Sequence, residues 1–227
     1  SSLGRMAAGI AHEINNPLAG ILLYSSNMTK KDPQGGPIED GLNIIIKETQ
    51  RCKTIIQGLL EFARDREPQK VPADINANME TALGILDNEF RLRHVGLELQ
   101  LAENMVKTLL DENQIEQVFI NLLLNAIHAV EENGRVTIQT AVDSENNKVQ
   151  VEITDNGCGI AADDIEKIFE PFYSTRAKGT GLGLAVSYGI VKNHQGDIRV
   201  YSVPGETTRF TIELPIRDEN FSEKGGL

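Results

Sequence analysis

The sequence predicts an α+β protein: a two-helix hairpin followed by an α/β sandwich with helices on one face of a mixed sheet. Two observations predict it. Between Leu3 and Ala63, apolar side chains recur in alternating steps of three and four, as in paired amphipathic helices. Beyond Pro72, helically spaced stretches interleave with runs of strict apolar–polar alternation.

The first seam runs through Leu3, Ala7, Ile10, Ile14, Pro17, Ile21, Tyr24 and Met28. Pro17 should bend this helix, because its ring removes a backbone donor and crowds the preceding turn. Asp32-Pro33-Gln34-Gly35-Gly36-Pro37 is a turn cluster. The second seam follows through Leu42, Ile45, Thr49, Cys52, Ile56, Leu59 and Ala63. Two long helices joined by a short turn make an antiparallel hairpin, here assigned to residues 1–67. Such a hairpin cannot cover both of its apolar faces, so a homodimer with a four-helix bundle is expected. Glu67-Pro68-Gln69-Lys70-Val71-Pro72 reads as a linker, residues 68–72 by domain division.

Residues 73–217 form the expected second domain. Helices are predicted near Ile75–Phe90 and Glu112–Glu132. Strands are predicted where Val136/Ile138, Val149/Val151/Ile153, Ile198/Val200 and Phe210/Ile212/Leu214 alternate with polar residues. The polar tail, residues 218–227, is expected to fray.

The 227 residues suffice for one large or two small domains, each with a core. A net charge of −11, from 33 acidic and 22 basic residues, argues against non-specific nucleic-acid binding. Only Cys52 and Cys158 are present, which suits a reducing compartment and argues against a disulfide framework or thiolate metal site. No run of 18 apolar residues occurs, so no membrane contact by this fragment is expected, and no signal peptide is seen. The chain opens inside a helical pattern, which reads as a fragment lacking an N-terminal region. A cytoplasmic location is expected, with the parent chain open to attachment at the inner membrane.

Four short segments carry chemistry. His12 lies two residues from the seam positions Ile10 and Ile14, and so points toward solvent. Glu13 flanks it, and Asn16 lies one turn later on the same face. A neutral imidazole can attack phosphorus when a carboxylate holds the proton on its other nitrogen. Alone, His12-Glu13 would be a solvated helix face. A metalloprotease zinc helix is argued against, because position 16 is Asn16 rather than a second histidine.

Asn121 and Asn125 stand one turn apart on an apolar helix. Buried amides need polar partners, and an amide oxygen suits the hard cation Mg²⁺. A cap or an amide pair in the core is an equal alternative. Asp155 ends an alternating strand and opens Asp155-Asn156-Gly157-Cys158-Gly159-Ile160. A carboxylate there can accept from an exocyclic amine such as that of adenine, and the glycines allow close backbone approach. A plain β-turn has the same residues. Gly179-Thr180-Gly181-Leu182-Gly183-Leu184 precedes an apolar helical run. Glycines ahead of a helix N-terminus offer amides to phosphate, with Arg176 and Lys178 adding positive charge. The spacing matches neither the Walker nor the dinucleotide fingerprint. Ile168-Phe169-Glu170-Pro171-Phe172-Tyr173 supplies aromatic anchors for a lid.

Together these motifs resemble the catalytic core of a bacterial two-component sensor histidine kinase, from about Gly4 to Pro215. Ala11-His12-Glu13-Ile14-Asn15-Asn16-Pro17-Leu18 resembles the phosphoacceptor box. Asn121-Leu122-Leu123-Leu124-Asn125-Ala126 resembles the N box, and Asp155 to Ile160 the G1 box. Phe169-Glu170-Pro171-Phe172 resembles the F box, and Gly179–Leu184 the G2 box. Phe172-Tyr173-Ser174-Thr175-Arg176 is similar to sensors of the nitrogen-regulation type. The resemblance implies a dimerisation and phosphotransfer hairpin joined to an ATP-binding sandwich of the gyrase/heat-shock/kinase superfamily. It implies that His12 is the phosphoacceptor, Glu13 its base and Asn16 a support for dephosphorylating a response regulator. Asn125, helped by Asn121, would hold Mg²⁺. The ATP-binding set would comprise Asn121, Asn125, His128, Asp155, Gly157, Gly159, Ile160, Phe172, Thr175, Arg176, Lys178, Gly179, Thr180, Gly181, Leu182, Gly183 and Leu184. The implied partners are a response-regulator receiver domain and a second copy of the chain.

Two departures stand out. Gly205-Glu206-Thr207-Thr208 has one glycine where the family often has a Gly-x-Gly pair, which puts the contacts of the last hairpin in question. Gln195-Gly196 follows His194 where two glycines are common. The alternatives are a gyrase- or chaperone-like ATPase and a non-catalytic scaffold. ATPase relatives carry a glutamate in the N-box helix to activate water. Asn121 resembles that position here, and an amide is a poor proton acceptor.

Overall fold

The computed structural model describes residues 14, 18–28, 37–63, 68–176 and 179–216. They fall into two compact units: one from Ser1–Arg66 with Phe172–Gly183, the other from Glu67–Pro171 with Leu184–Leu227.

The first unit contains helix α1 (residues 18–28) and helix α2 (Pro37–Ala63). Ser25, Thr49 and Ile56 are buried. The Thr49 hydroxyl stays satisfied by donating to the Ile45 carbonyl, 2.7 Å away. Much of the predicted seam is exposed in the single chain: Ile21, Tyr24, Met28 and Ile45, with Leu23, Ile38 and Ile44 beside them. Cys52, placed on the second seam by spacing, is exposed as well. His12, Glu13, Asn16 and Pro17, with the bend predicted there, lie outside the described residues, as does the tail beyond residue 216.

The second unit is the predicted sandwich. Strand β1 (Val71–Ala73) pairs antiparallel with β3 (Thr108–Leu110) in a two-stranded ribbon. The main sheet has the order β2 (Gly96–Gln100), β4 (Arg135–Asp143), β5 (Lys148–Asp155), β7 (Thr207–Pro215), β6 (Asp197–Val203). β2 runs parallel to β4, and the other pairs are antiparallel, so the sheet is mixed. Helices α3 (Ile75–Leu92), α4 (Glu112–Ala129), the one-turn α5 (Ala162–Ile165) and α6 (Gly183–Asn193) complete it.

The core follows from periodicity. Val136 and Ile138, then Val149, Val151 and Ile153, then Phe210, Ile212 and Leu214 all face inward. Ile75, Met79, Ala82 and Leu86 of α3 join them, as do Ile115, Val118, Phe119, Leu122 and Leu123 of α4. Asp74 caps α3 by accepting from the Asn76 amide, and Asp111 caps α4 through Gln114.

Sequence and structure differ in several places, β3 and the one-turn α5 among the elements not predicted. β2 was not predicted: all but one of its residues are exposed at the sheet edge, so no alternation marks it. Val71 and Pro72, read as the end of the linker, form part of β1. Helix α4 stops at Ala129 rather than Glu132, because the Val130 backbone is already extended. Among the described residues, no helix is long and apolar enough to cross a membrane.

Candidate functional site

Within the second unit, strand phase decides the position of Asp155. It continues the inward series Val149, Val151, Ile153, so its carboxylate falls on the core face at the end of β5 and is 4% exposed. One carboxylate oxygen accepts the Gly157 amide at 2.9 Å, closing the turn that follows the strand. Thr208 lies opposite Asp155 in the β5–β7 register and is equally buried. The Thr207 hydroxyl donates to the Asp155 carbonyl at 2.7 Å. Ser202 donates to the Thr207 carbonyl, meets the Thr208 hydroxyl at 3.0 Å and accepts the Ile160 amide at 2.8 Å. Asp155 is thus seated in a continuous polar network at the ends of three strands.

The glycines here are required by contact. A Cβ on Gly157 would lie 2.4 Å from the Ala129 carbonyl oxygen, at the end of α4. The Cys158 amide donates to that same oxygen at 3.0 Å. Gly159 has φ +69°, and a Cβ there would meet the Val203 carbonyl oxygen at 2.4 Å. The Gly205 amide donates to the Cys158 carbonyl at 2.8 Å, so one glycine suffices for the last hairpin to dock on this turn.

Asn121 and Asn125 are half-buried on α4, beside its apolar face. Asn121 donates to the hydroxyl of Ser187 on α6 at 3.3 Å, and Ser187 is fully buried. Asn125 lies one turn before Ala129, on the side of α4 that receives the Asp155–Ile160 turn. His128 continues the stripe and is exposed. The structure therefore joins the turn that holds Asp155, Gly157, Gly159 and Ile160 to the C-terminal end of α4, with Asn125 one turn before the Ala129 carbonyl that receives it and Asn121 a further turn back. An amide-oxygen donor set beside a buried carboxylate is chemically suited to a hard cation and a polar ligand.

Segment Phe172–Gly183 groups with the first unit and is closed on itself. The Phe172 amide donates to the Gly181 carbonyl at 2.9 Å. Gly181 has φ +68°, and a Cβ there would strike the Phe172 backbone. Phe172 also has positive φ, 68°, a strained state for a bulky residue. The Ser174 hydroxyl accepts the Arg176 amide, and the Gly179 amide donates to the Arg176 carbonyl. A Cβ on Gly179 would meet Ser174 Oγ at 2.2 Å. Thr180 Oγ1 accepts the Leu182 amide, and Thr175 lies between Ser174 and Arg176 in this loop. Gly183 and Leu184 open α6. Of the predicted aromatic anchors, Phe169 joins the core and lies 5.4 Å from the Tyr188 ring, Tyr173 is half-buried and Phe172 is exposed. Lys178 lies outside the described residues.

Sequence reading missed Ser187, Ser202 and Thr208. The signal for Thr208 was there: pairing β5 with β7 by their apolar alternation sets it opposite Asp155. Ser187 carried no local signal, because its burial depends on packing against α4.

Residues 2–68 match the His Kinase A (phospho-acceptor) domain, and residues 110–218 match the histidine kinase-, DNA gyrase B- and HSP90-like ATPase domain. The signal transduction histidine-protein kinase AtoS of Escherichia coli (strain K12) is 38% identical over 220 residues, covering 96% of this chain and 36% of its own length. The sensor histidine kinase ZraS of Salmonella typhi is 35% identical, covering 95% of this chain and 46% of its own. The chain therefore spans less than half the length of these relatives. The crystal structure of histidine kinase ThkA in complex with response regulator protein TrrA is similar at a TM-score of 0.70 and 29% identity, over 96% of this chain and 63% of that one. None of these matches singles out the nitrogen-regulation type. With a phospho-acceptor domain followed by a kinase-type ATPase domain, the chain belongs to the sensor histidine kinases of two-component systems.

Proposed function

We propose that this chain takes the γ-phosphoryl group of Mg-ATP onto His12 and passes it to an aspartate on the receiver domain of a response regulator. The observation that carries the nucleotide half is Asp155: a carboxylate 4% exposed, held at a strand end by the Gly157 amide. It would accept the exocyclic amine of adenine, with Thr208 beside it. The phospho-acceptor domain match spans His12 and supports the other half.

Asn125 and Asn121 would hold Mg²⁺, which when bound neutralises phosphate charge. His128 and Ile160 would belong to the ATP-binding set, as would Phe172, Thr175, Arg176, Lys178 and the Gly179–Leu184 segment, whose amides and cationic groups suit phosphate. In the transfer step, a ring nitrogen of His12 forms the new bond to phosphorus as the bond to the ADP oxygen breaks. Glu13 holds the proton on the other nitrogen and stabilises the positive charge that develops on the ring. Positioning and charge neutralisation supply most of the acceleration. Asn16 would orient the water that removes phosphate from the regulator.

We further assign residues 1–67 to the phosphotransfer hairpin, 68–72 to the linker, 73–217 to the ATP-binding domain and 218–227 to the tail. The exposed Ile21, Leu23, Tyr24, Met28, Ile38 and Ile44 support a homodimer that buries them. ATP and a receiver-domain partner point to the cytoplasm.

The test is incubation with γ-labelled ATP. The chain should take up acid-labile, alkali-stable label, and His12→Gln should take up none while binding nucleotide within about twofold of the parent. Asp155→Asn should weaken nucleotide binding by about tenfold or more, the scale of one charged hydrogen bond. Stable label on His12→Gln would overturn the assignment. Free phosphate without protein label would point to an ATPase, and neither product to a scaffold.

A further inference from the structure

Four of the six residues read as linker are held within the second unit. Val71 and Pro72 lie in β1. The Gln69 amide donates to Asp111 Oδ2 at 2.9 Å, and Lys70 Nζ donates to the carbonyl of Asn193, the last residue of α6, at 2.8 Å. The two anchor points are themselves tied together. The Asp111 amide donates to His194 Nε2 at 2.9 Å, and His194 Nδ1 donates to the Ile190 carbonyl of α6 at 2.8 Å.

From this we infer that Asp111 and His194 form a clamp that fastens the linker stem to the ends of α4 and α6, making them positioning residues for phosphoryl transfer. α4 carries Asn121 and Asn125, and α6 follows directly on Gly179–Gly183. A displacement of the stem therefore acts on both helices at once. This rests on the function proposed above.

Helix capping alone does not account for the arrangement. Asp111 Oδ1 caps α4 through the Gln114 amide, and one oxygen is enough for that. Oδ2 serves the linker. The imidazole, 3% exposed, donates from one nitrogen and accepts at the other, which fixes it as one neutral tautomer. A protonated ring would turn an N–H against the Asp111 amide and open the clamp. The charged groups facing the ring are Lys70, which opposes protonation, and Asp111, which favours it.

Asp111→Ser separates the two roles, because serine caps as well as aspartate but has no second oxygen for Gln69. Lys70→Met removes the other tie. Both variants should bind nucleotide within about twofold of the parent yet label His12 about tenfold more slowly, because small misplacements cost rate more than affinity. Exchange of the Gln69 amide should quicken about tenfold in Asp111→Ser. The ¹⁵N spectrum of His194 should show a protonated Nδ1 and a bare Nε2. His194→Ala should slow labelling likewise, and His194→Gln, whose amide oxygen can still accept from the Asp111 amide, should restore it toward the parental rate. Unchanged Gln69 exchange, unchanged labelling, or labelling that falls only in step with nucleotide affinity would each overturn the clamp. If the parent never labels, the proposed function fails, while exchange and the ring spectrum still decide the clamp.

Discussion

At the residue scale, the glycines divide by what surrounds them. A methyl group on Gly157 or Gly159 would overlap a backbone oxygen at 2.4 Å, and neither the Ala129 nor the Val203 carbonyl can withdraw without disturbing the Asp155 turn. Gly205 has φ +80° but open space around it. Gly157→Ala and Gly159→Ala should therefore cost about 1–3 kcal/mol or more, with loss of nucleotide binding. Gly205→Ala should cost only the left-handed backbone penalty, about 1–2 kcal/mol, with binding largely kept. Denaturant unfolding and nucleotide titration of the three variants check the order. His194 sets a pH dependence. Burial holds its pKa below the ordinary 6.5, with Lys70 adding to that effect and the Ile190 carbonyl and Asp111 opposing it. The unfolded chain thus binds the extra proton first. The stability this site contributes is complete above pH 6.5 and falls as pH drops toward the folded-state value, by at most about 1.4 kcal/mol per pH unit. Urea unfolding at about pH 7.5 and about pH 5.5 should show a drop that is smaller in His194→Gln; equal drops would contradict it.

At the element scale, the strands were legible because one side of the sheet is buried. Alternation in β4, β5 and β7 marked both their existence and their facing, and the same phase carries Asp155 to the core face. β2 was not legible, since an exposed edge strand has no buried side to write a pattern. β1 was hidden because two of its three residues, Val71 and Pro72, read as linker, and only pairing with β3 makes them part of a strand. The end of α6 shows how a departure from the family pattern is absorbed. Gln195 takes φ 59° where a glycine is common, while the Gly196 amide returns to the Val191 carbonyl at 2.9 Å. Gln195→Gly should relieve that strain and raise stability by roughly 1 kcal/mol. A midpoint shift in urea checks it, and a loss of stability would mean that the glutamine side chain outweighs its backbone. Gly196 allows no such freedom, because a Cβ there would lie 2.4 Å from the Glu213 carbonyl oxygen.

At the scale of the whole molecule, the two units treat apolar surface in opposite ways. The sandwich buries its large side chains around Phe119, Leu122, Ile138, Ile153 and Ile212. The helices of the first unit leave Ile21, Leu23, Tyr24, Met28, Ile38 and Ile44 exposed. A stripe of that kind along two helices is stable in water when a second copy covers it. Sedimentation should give a dimer, and Leu23→Glu with Ile44→Glu should give a monomer with the sandwich intact; a parental monomer would contradict the bundle. The order of the motifs was legible in the amino-acid sequence because each keeps its residue types at fixed spacing. What the spacing could not supply was the hydroxyl network around Asp155, assembled from strands far apart along the chain. The central claim is that nucleotide held beside Asp155 delivers its terminal phosphoryl group to His12. Peptide mapping with ³¹P detection after incubation with magnesium and ATP tests it most directly. A phosphoramidate on the peptide bearing His12, strongly reduced in Asp155→Asn at sub-saturating ATP, is the expected result. Phosphate on another residue, or none on a chain that demonstrably binds ATP, would contradict it.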